Sequence, residues 1–225
     1  MNKLTLLLLT LPTIALADNN LLPEPVTGIH VVPDSQLSRT DEMKKRDKME
    51  MMQQKKHGYI QADSGYPRYL YNLKYKVKSQ AEKNGETDLK SKVSDINLAF
   101  PFNGISFIQQ ENVIGFAPAG SYKNGWTGIK EIFTQKDMGT CGITMFDIAI
   151  SHGGARIGQS VVQYDINKKP TTTIIKGSIN SGFLYTVNWY DNKFIYMFEC
   201  ANMELDKNII SKMIDMGKKI DKEIG

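Results

Sequence analysis

The stretch from Phe183 to Cys200 limits the choice of fold more than any other part of the chain. Phe183, Tyr185, Val187 and Trp189 alternate with polar or smaller residues, Asp191-Asn192 follows, and Phe194, Tyr196, Phe198 and Cys200 continue the alternation. Period two on both sides of a two-residue turn predicts an antiparallel hairpin with one buried, aromatic face. Such a face needs partners. Upstream, Ile143–Ile150, Gly158–Ile166 and Thr171–Ile175 read as further strands, separated by Gly153-Gly154, Lys168-Lys169-Pro170 and the glycines of 177–182. The spacing predicts a meander of about five or more strands.

After Asp206, a helix-capping residue, Ile209, Met213, Met216 or Gly217, Ile220 and Ile224 recur at steps of three or four. This makes an amphipathic C-terminal helix with its stripe directed at the sheet. Gly217 lowers the helix propensity of that stripe, which suits a backbone lying close to the sheet. An antiparallel meander with a C-terminal helix on one face is an α+β fold, and the few helical segments argue against a doubly wound parallel sheet.

The pattern between residues 69 and 133 is less regular. Tyr69, Tyr71, Leu73, Tyr75 and Val77 alternate with Asn72, Lys74, Lys76 and Lys78, which predicts a strand with one covered face and one basic face. Beyond a polar turn at Asn84-Gly85, Thr87–Ile96 reads as a short helix with Leu89, Val93 and Ile96 inward. Ile105–Ile108 and Asn112–Phe116 read as short strands, the second ended by Ala117-Pro118-Ala119-Gly120. Trp126, Ile129, Ile132 and Phe133 have the spacing of a helical turn.

The N-terminus carries an export signature. Lys3 precedes an apolar run from Leu4 to Leu16, and Ala15-Leu16-Ala17 offers the small residues of a cleavage site, so residues 1–17 are expected to be a signal peptide. The run is too short to span a bilayer as a helix, and no later run is longer, so no transmembrane segment is expected after cleavage. The expected location is the periplasm or the exterior of a bacterial cell. In such a compartment the two cysteines, Cys141 and Cys200, are expected to form a disulfide.

Residues 18–58 divide from the body. Pro23, Pro25, Gly28 and Pro33 mark an extended arm, either a linker or a docking strand. Ser38 or Thr40 can cap a helix running to about Lys56, with Asp41 and Glu42 in its first turn. Its apolar stripe is thin, consisting of Leu37, Met43, Met49 and Met52 among Lys44, Lys45, Arg46, Lys48, Lys55 and Lys56. A helix too polar to be needed by the core is a candidate partner-binding element, with Met43, Met49, Met52, Arg46 and Lys48 as its contact residues. Residues 59–225 are expected to form a single α+β domain.

Chemistry is harder to find. The densest polar cluster runs from Asp147 to Arg156, where Asp147, His152 and Arg156 are the candidate base-orienting, acid–base and anion-holding residues of a small hydrolase or ligand binder. No G-x-S-x-G elbow, H-E-x-x-H, Walker loop or G-x-G-x-x-G after a strand occurs, so neither a metal nor a cofactor is expected. The 28 Lys plus Arg against 24 Asp plus Glu leave a small positive excess, compatible with weak contact to an anionic surface. Nucleic acid is not an expected partner, because alternation over residues 69–78 would send tyrosines and lysines to opposite faces. The sequence therefore favours an exported, non-enzymatic protein that binds another envelope or secreted protein, as an assembly or adaptor component.

Overall fold

The computed structural model describes residues 26–76 and 89–224. The signal-peptide expectation for residues 1–17, the start of the arm and the turn at Asn84-Gly85 lie outside the described residues. In chain order the elements are β1 (Gly28–Val32), α1 (Asp41–His57), β2 (Ile60–Gln61), α2 (Tyr66–Lys76), β3 (Val113–Tyr122), β4 (Trp126–Gln135), β5 (Gly139–Asp147), α3 (Ile148–Ser151), β6 (Gly154–Gly158), β7 (Tyr164–Ile166), β8 (Lys169–Ser178), β9 (Gly182–Tyr190), β10 (Phe194–Asn202) and α4 (Ile209–Ile224).

The fold is a mixed α+β arrangement built on an eight-stranded, mostly antiparallel sheet with a C-terminal helix. Its strand order is β2-β8-β9-β10-β5-β4-β3, and β7 also pairs with β8. The β9–β10 hairpin forms where the alternation placed it, with Tyr190 opposite Ile195 and Phe183 opposite Asn202. Tyr185, Val187, Trp189, Tyr196 and Phe198 are fully buried. Trp189 and Tyr196 stack with ring centroids 4.9 Å apart and 6° between their planes. Cys141 of β5 is the cross-strand partner of Cys200 of β10, and the two form a disulfide.

Helix α4 lays Ile209, Met213 and Ile220 into the same core. A Cβ on Gly217 would lie 2.9 Å from Ile166 Cδ1 and 3.6 Å from the Trp189 ring, so a side chain there would hold the helix off the sheet. Asp206 forms the turn that leads into the helix, its carboxylate accepting from Asn208 N–H and its carbonyl from Ile209 N–H, and the cap position falls to Asn208, whose carbonyl accepts Lys212 N–H. The opposite face of the sheet is covered at one end by α2, where Leu70 and Leu73 pack with Ile132 and Ala201.

Four local expectations are corrected. Residues 69–76 belong to a helix and not to a strand: Leu70 and Leu73 are buried at helical spacing, while Tyr69 and Tyr75 are exposed. Residues 126–133 are strand β4 and not a helical turn. Ile129 and Phe133 face the main core and Ile132 faces α2, so burial on both faces erases the period-two signal. Ile105–Ile108 is a turn, with Ile108 N–H bonded to the Ile105 carbonyl, which delivers both isoleucines to the core without strand pairing. Within the described part of 87–96, the only helical segment is a single 3-10 turn at Val93–Asp95. Lys90 there bridges to Phe116 of β3 through both backbone groups, which holds the backbone extended.

Boundaries shift as well. Strand β3 runs through Ala117-Pro118-Ala119-Gly120; Pro118 is tolerated because β3 is an edge strand and Pro118 shares the outward backbone phase of Phe116. The segment 158–166 is a 3-10 turn at Gln159–Val161 followed by β7. Strand β5 stops at Asp147, so 148–150 are helical. The arm is a docking strand: β1 pairs in parallel with β6, Gly28 opposite Gly154 and Val32 opposite Gly158.

One buried carboxylate gives the fold a pH dependence. Glu131 of β4 is 1 % exposed and accepts Ile105 N–H at 3.1 Å, pinning the 105–108 turn. Burial pushes its pKa up to about 7; the Ile105 hydrogen bond opposes this and the Glu223 charge adds to it. The folded group thus holds its proton to higher pH than the unfolded one, so stability is full below about 4.5 and declines as pH rises through about 7. From about pH 5 to about pH 8, Glu131 is expected to cost about 2–3 kcal/mol. Glu131→Gln, which keeps the acceptor, should flatten the loss in melts across that range; an equal slope in both proteins would refute the assignment.

Candidate functional site

The Asp147–Arg156 cluster has a local structural explanation. Asp147 is 2 % exposed, and its Oδ1 accepts Ile150 N–H at 2.9 Å, which caps α3. His152 ends α3 in the left-handed conformation, at φ 53°, with its N–H returned to the Ile148 and Ala149 carbonyls. Arg156 stands on β6 opposite His30 of β1, and both are exposed. No hydrogen bond joins Asp147, His152 and Arg156 to one another. The polar residues and glycines that mark the segment serve a strand-to-helix-to-strand reversal.

Two buried polar clusters were not legible in the sequence. Lys130 of β4 reaches across β5 to Glu199 of β10, Nζ to Oε2 2.7 Å, and also donates to Tyr66 Oη of α2 at 2.7 Å. The Tyr66 hydroxyl donates in turn to Glu199 at 3.1 Å. Gly142 makes this crossing possible, since a Cβ there would lie 2.8 Å from Lys130 Cε. Burial lowers the Lys130 pKa, but the Glu199 charge and the Tyr66 hydroxyl outweigh it and hold the ammonium above its ordinary value. Burial pushes the Tyr66 phenol up to about 12. The trio ties α2 to the sheet.

On the other face Asp221 of α4 receives Lys169 Nζ at 2.6 Å, Trp189 Nε1 at 3.0 Å and Asn167 Nδ2 at 3.0 Å. Lys169 also pairs with Asp191 at 2.8 Å. These bonds anchor the helix to the hairpin and leave the Tyr196 hydroxyl buried without a partner. Burial first, then the charges of Asp191, Asp221 and Asp147, hold the Tyr196 phenol above its ordinary value. Both clusters are ties between layers, and any single sequence window holds only part of each.

Helix α1 is different in kind. Thr40 is the cap, its Oγ1 accepting Met43 N–H at 3.2 Å, and Gly58 ends the helix in the left-handed conformation. Its inward positions Met43, Asp47, Glu50, Gln53 and Gln54 are half-buried, and four of the five are polar. Glu50 pairs with Lys176 of β8 at 3.3 Å, Asp47 with Arg39 at 2.9 Å, and Gln53 Oε1 accepts Gln61 N–H of β2 at 3.0 Å. Outward, Met49, Met51 and Met52 are 54, 55 and 63 % exposed. Of the sequence candidates, Met49, Met52, Arg46 and Lys48 are thus solvent-facing, and Met43 faces the body. Exposure of the whole outward half of the helix adds Met51 to these candidates.

Two open grooves adjoin these elements. The larger, about 620 Å³, lies between the end of α2, the β4–β5 turn and the start of α4, and mixes Lys74, Lys136 and Lys212 with Asp137, Glu204 and Asp206. Lys74 Nζ sits 3.5 Å over the Tyr71 ring, so the separation of tyrosines from lysines expected for a strand does not hold in helix α2. The smaller groove, about 360 Å³, runs between α1 and β2. Among the described residues no group of His, Cys, Asp or Glu is placed to hold a metal, and no helix is long and apolar enough to cross a membrane. Against known proteins, the chain matches no family model, no curated protein and no solved structure, and its function rests on its own geometry.

Proposed function

We propose that this is an exported binding protein, and not an enzyme, which attaches to another envelope or secreted protein as an assembly or adaptor component. The contact surface is the outward half of α1. The observation that carries this reading is the inverted polarity of that helix: its inner face is held by ion pairs and amides, while Met49, Met51 and Met52 face solvent. Unbranched methionines adapt to a partner's shape and are enriched in interfaces. The buried Cys141–Cys200 disulfide supports an oxidising location, periplasmic or secreted.

Deleting residues 18–58 would also remove β1 and leave β6 unpaired, so the surface is better tested in place. A photo-crosslinking residue at position 49 or 52, expressed in the native cell, is expected to give one dominant protein adduct. The same residue at position 222, exposed on α4, should not give it. Equal labelling at all three positions, or none at 49 and 52, would overturn the proposal.

A further inference from the structure

The groove between α1 and β2 carries the reading one step further, to the chemistry of the partner. Its wall is Met49, its floor is Ile60, and its rim carries Lys45 and Arg46 with Glu42. The other carboxylates of α1 are already engaged: Asp41 with Lys44 at 3.3 Å, Asp47 with Arg39 and Glu50 with Lys176. Lys45, Arg46, Lys48, Lys55 and Lys56 have no ion pair among the described residues, so the outward half of the helix has a positive excess that only Glu42 offsets. The backbone edge at Gln61 is closed by Gln53, and an occupant is therefore held by side chains and not by strand addition at that point.

We infer that the groove seats an acidic protein segment with apolar anchors, whose carboxylates meet Lys45 and Arg46 while an apolar side chain packs on Met49. This rests on the protein-binding reading above. A membrane surface fits less well, because Lys45, Lys48 and Lys56 lie between the methionines on the outward half and α1 lacks the segregated apolar face of an interfacial helix. Electrostatic complementarity of this kind sets the choice of partner and the association rate.

The test is panning of a displayed random-peptide library on the purified protein, with counter-selection on the Lys45→Glu, Arg46→Glu, Met49→Ser variant. All three side chains are exposed, and matching circular dichroism and melting curves confirm that the variant folds. The expected survivors share Asp or Glu around Leu, Ile, Phe or Met, bind more weakly at high salt, and lose about tenfold or more in affinity for the variant. Survivors without an acidic excess, or none, would overturn the inference. So would tighter binding to phosphatidylglycerol vesicles than to the selected peptides. The crosslinking arm keeps the two readings apart: an adduct at 49 or 52 through a non-acidic segment overturns the inference alone, whereas no adduct overturns both.

Discussion

Glu199→Ala is expected to remove about 3–5 kcal/mol of stability, because it strands a buried ammonium. Lys130 and Glu199 are 12 % and 4 % exposed, and with Glu199 gone the Lys130 ammonium retains only the Tyr66 hydroxyl. Lys130→Met alone leaves Glu199 with the Tyr66 hydroxyl only, and should also be strongly destabilising. The double variant Lys130→Met, Glu199→Leu should recover most of the loss, since two apolar chains replace two desolvated charges. Urea denaturation of the wild type, Lys130→Met, Glu199→Leu and the double variant measures the coupling. A single-variant loss below about 1 kcal/mol would show that the pair behaves as an exposed one.

The second large effect belongs to the disulfide. Cys141 and Cys200 are fully buried on adjacent central strands and are 59 residues apart in sequence. Replacing both by Ala should cost about 4 kcal/mol on the chain-entropy account, since the unfolded chain is released from a long closed loop. For a domain of this size that is a fall of about 10 °C in Tm. Burial adds a kinetic expectation: a thiol reductant should leave the native protein intact and open the bridge only when denaturant exposes the sulfurs. Free-thiol titration with and without denaturant reads this directly. Equal Tm values for the wild type and the double variant would mean that the bridge does not constrain the unfolded chain.

These two cross-links bear on the binding proposal through rigidity. The disulfide joins β5 to β10, and the Lys130–Glu199 pair joins β4 to β10 over the same stretch of sheet, with α2 tied on top through Tyr66. Helix α1 has no such anchors. Among the described residues its polar ties to the sheet are the Glu50–Lys176 ion pair and the Gln53–Gln61 hydrogen bond, so under the binding proposal a partner engages it without disturbing the core.

What the sequence by itself determined are the elements whose signal is local. The β9–β10 hairpin, the stripe of α4 with Gly217 against the sheet and the pairing of two lone cysteines follow from residues near one another or from a count of two. Each needs only one buried face, so its periodicity survives in the sequence. Tertiary structure decided the rest. Tyr69, Tyr71 and Tyr75 alternate like a strand, yet the buried pair Leu70 and Leu73 makes α2 a helix once Ile132 and Ala201 are there to cover it. Strand β4 is buried on both faces and loses its alternation for that reason. Nothing near Lys130 and Glu131 in sequence marks them as buried; β10, α2 and the 105–108 turn bring Glu199, Tyr66 and Ile105 to them. The outward methionines of α1 reverse the ordinary inference that apolar means inside; their exposure depends on the polar contacts that Glu50 and Gln53 make with strands 126 and 8 positions further along the chain.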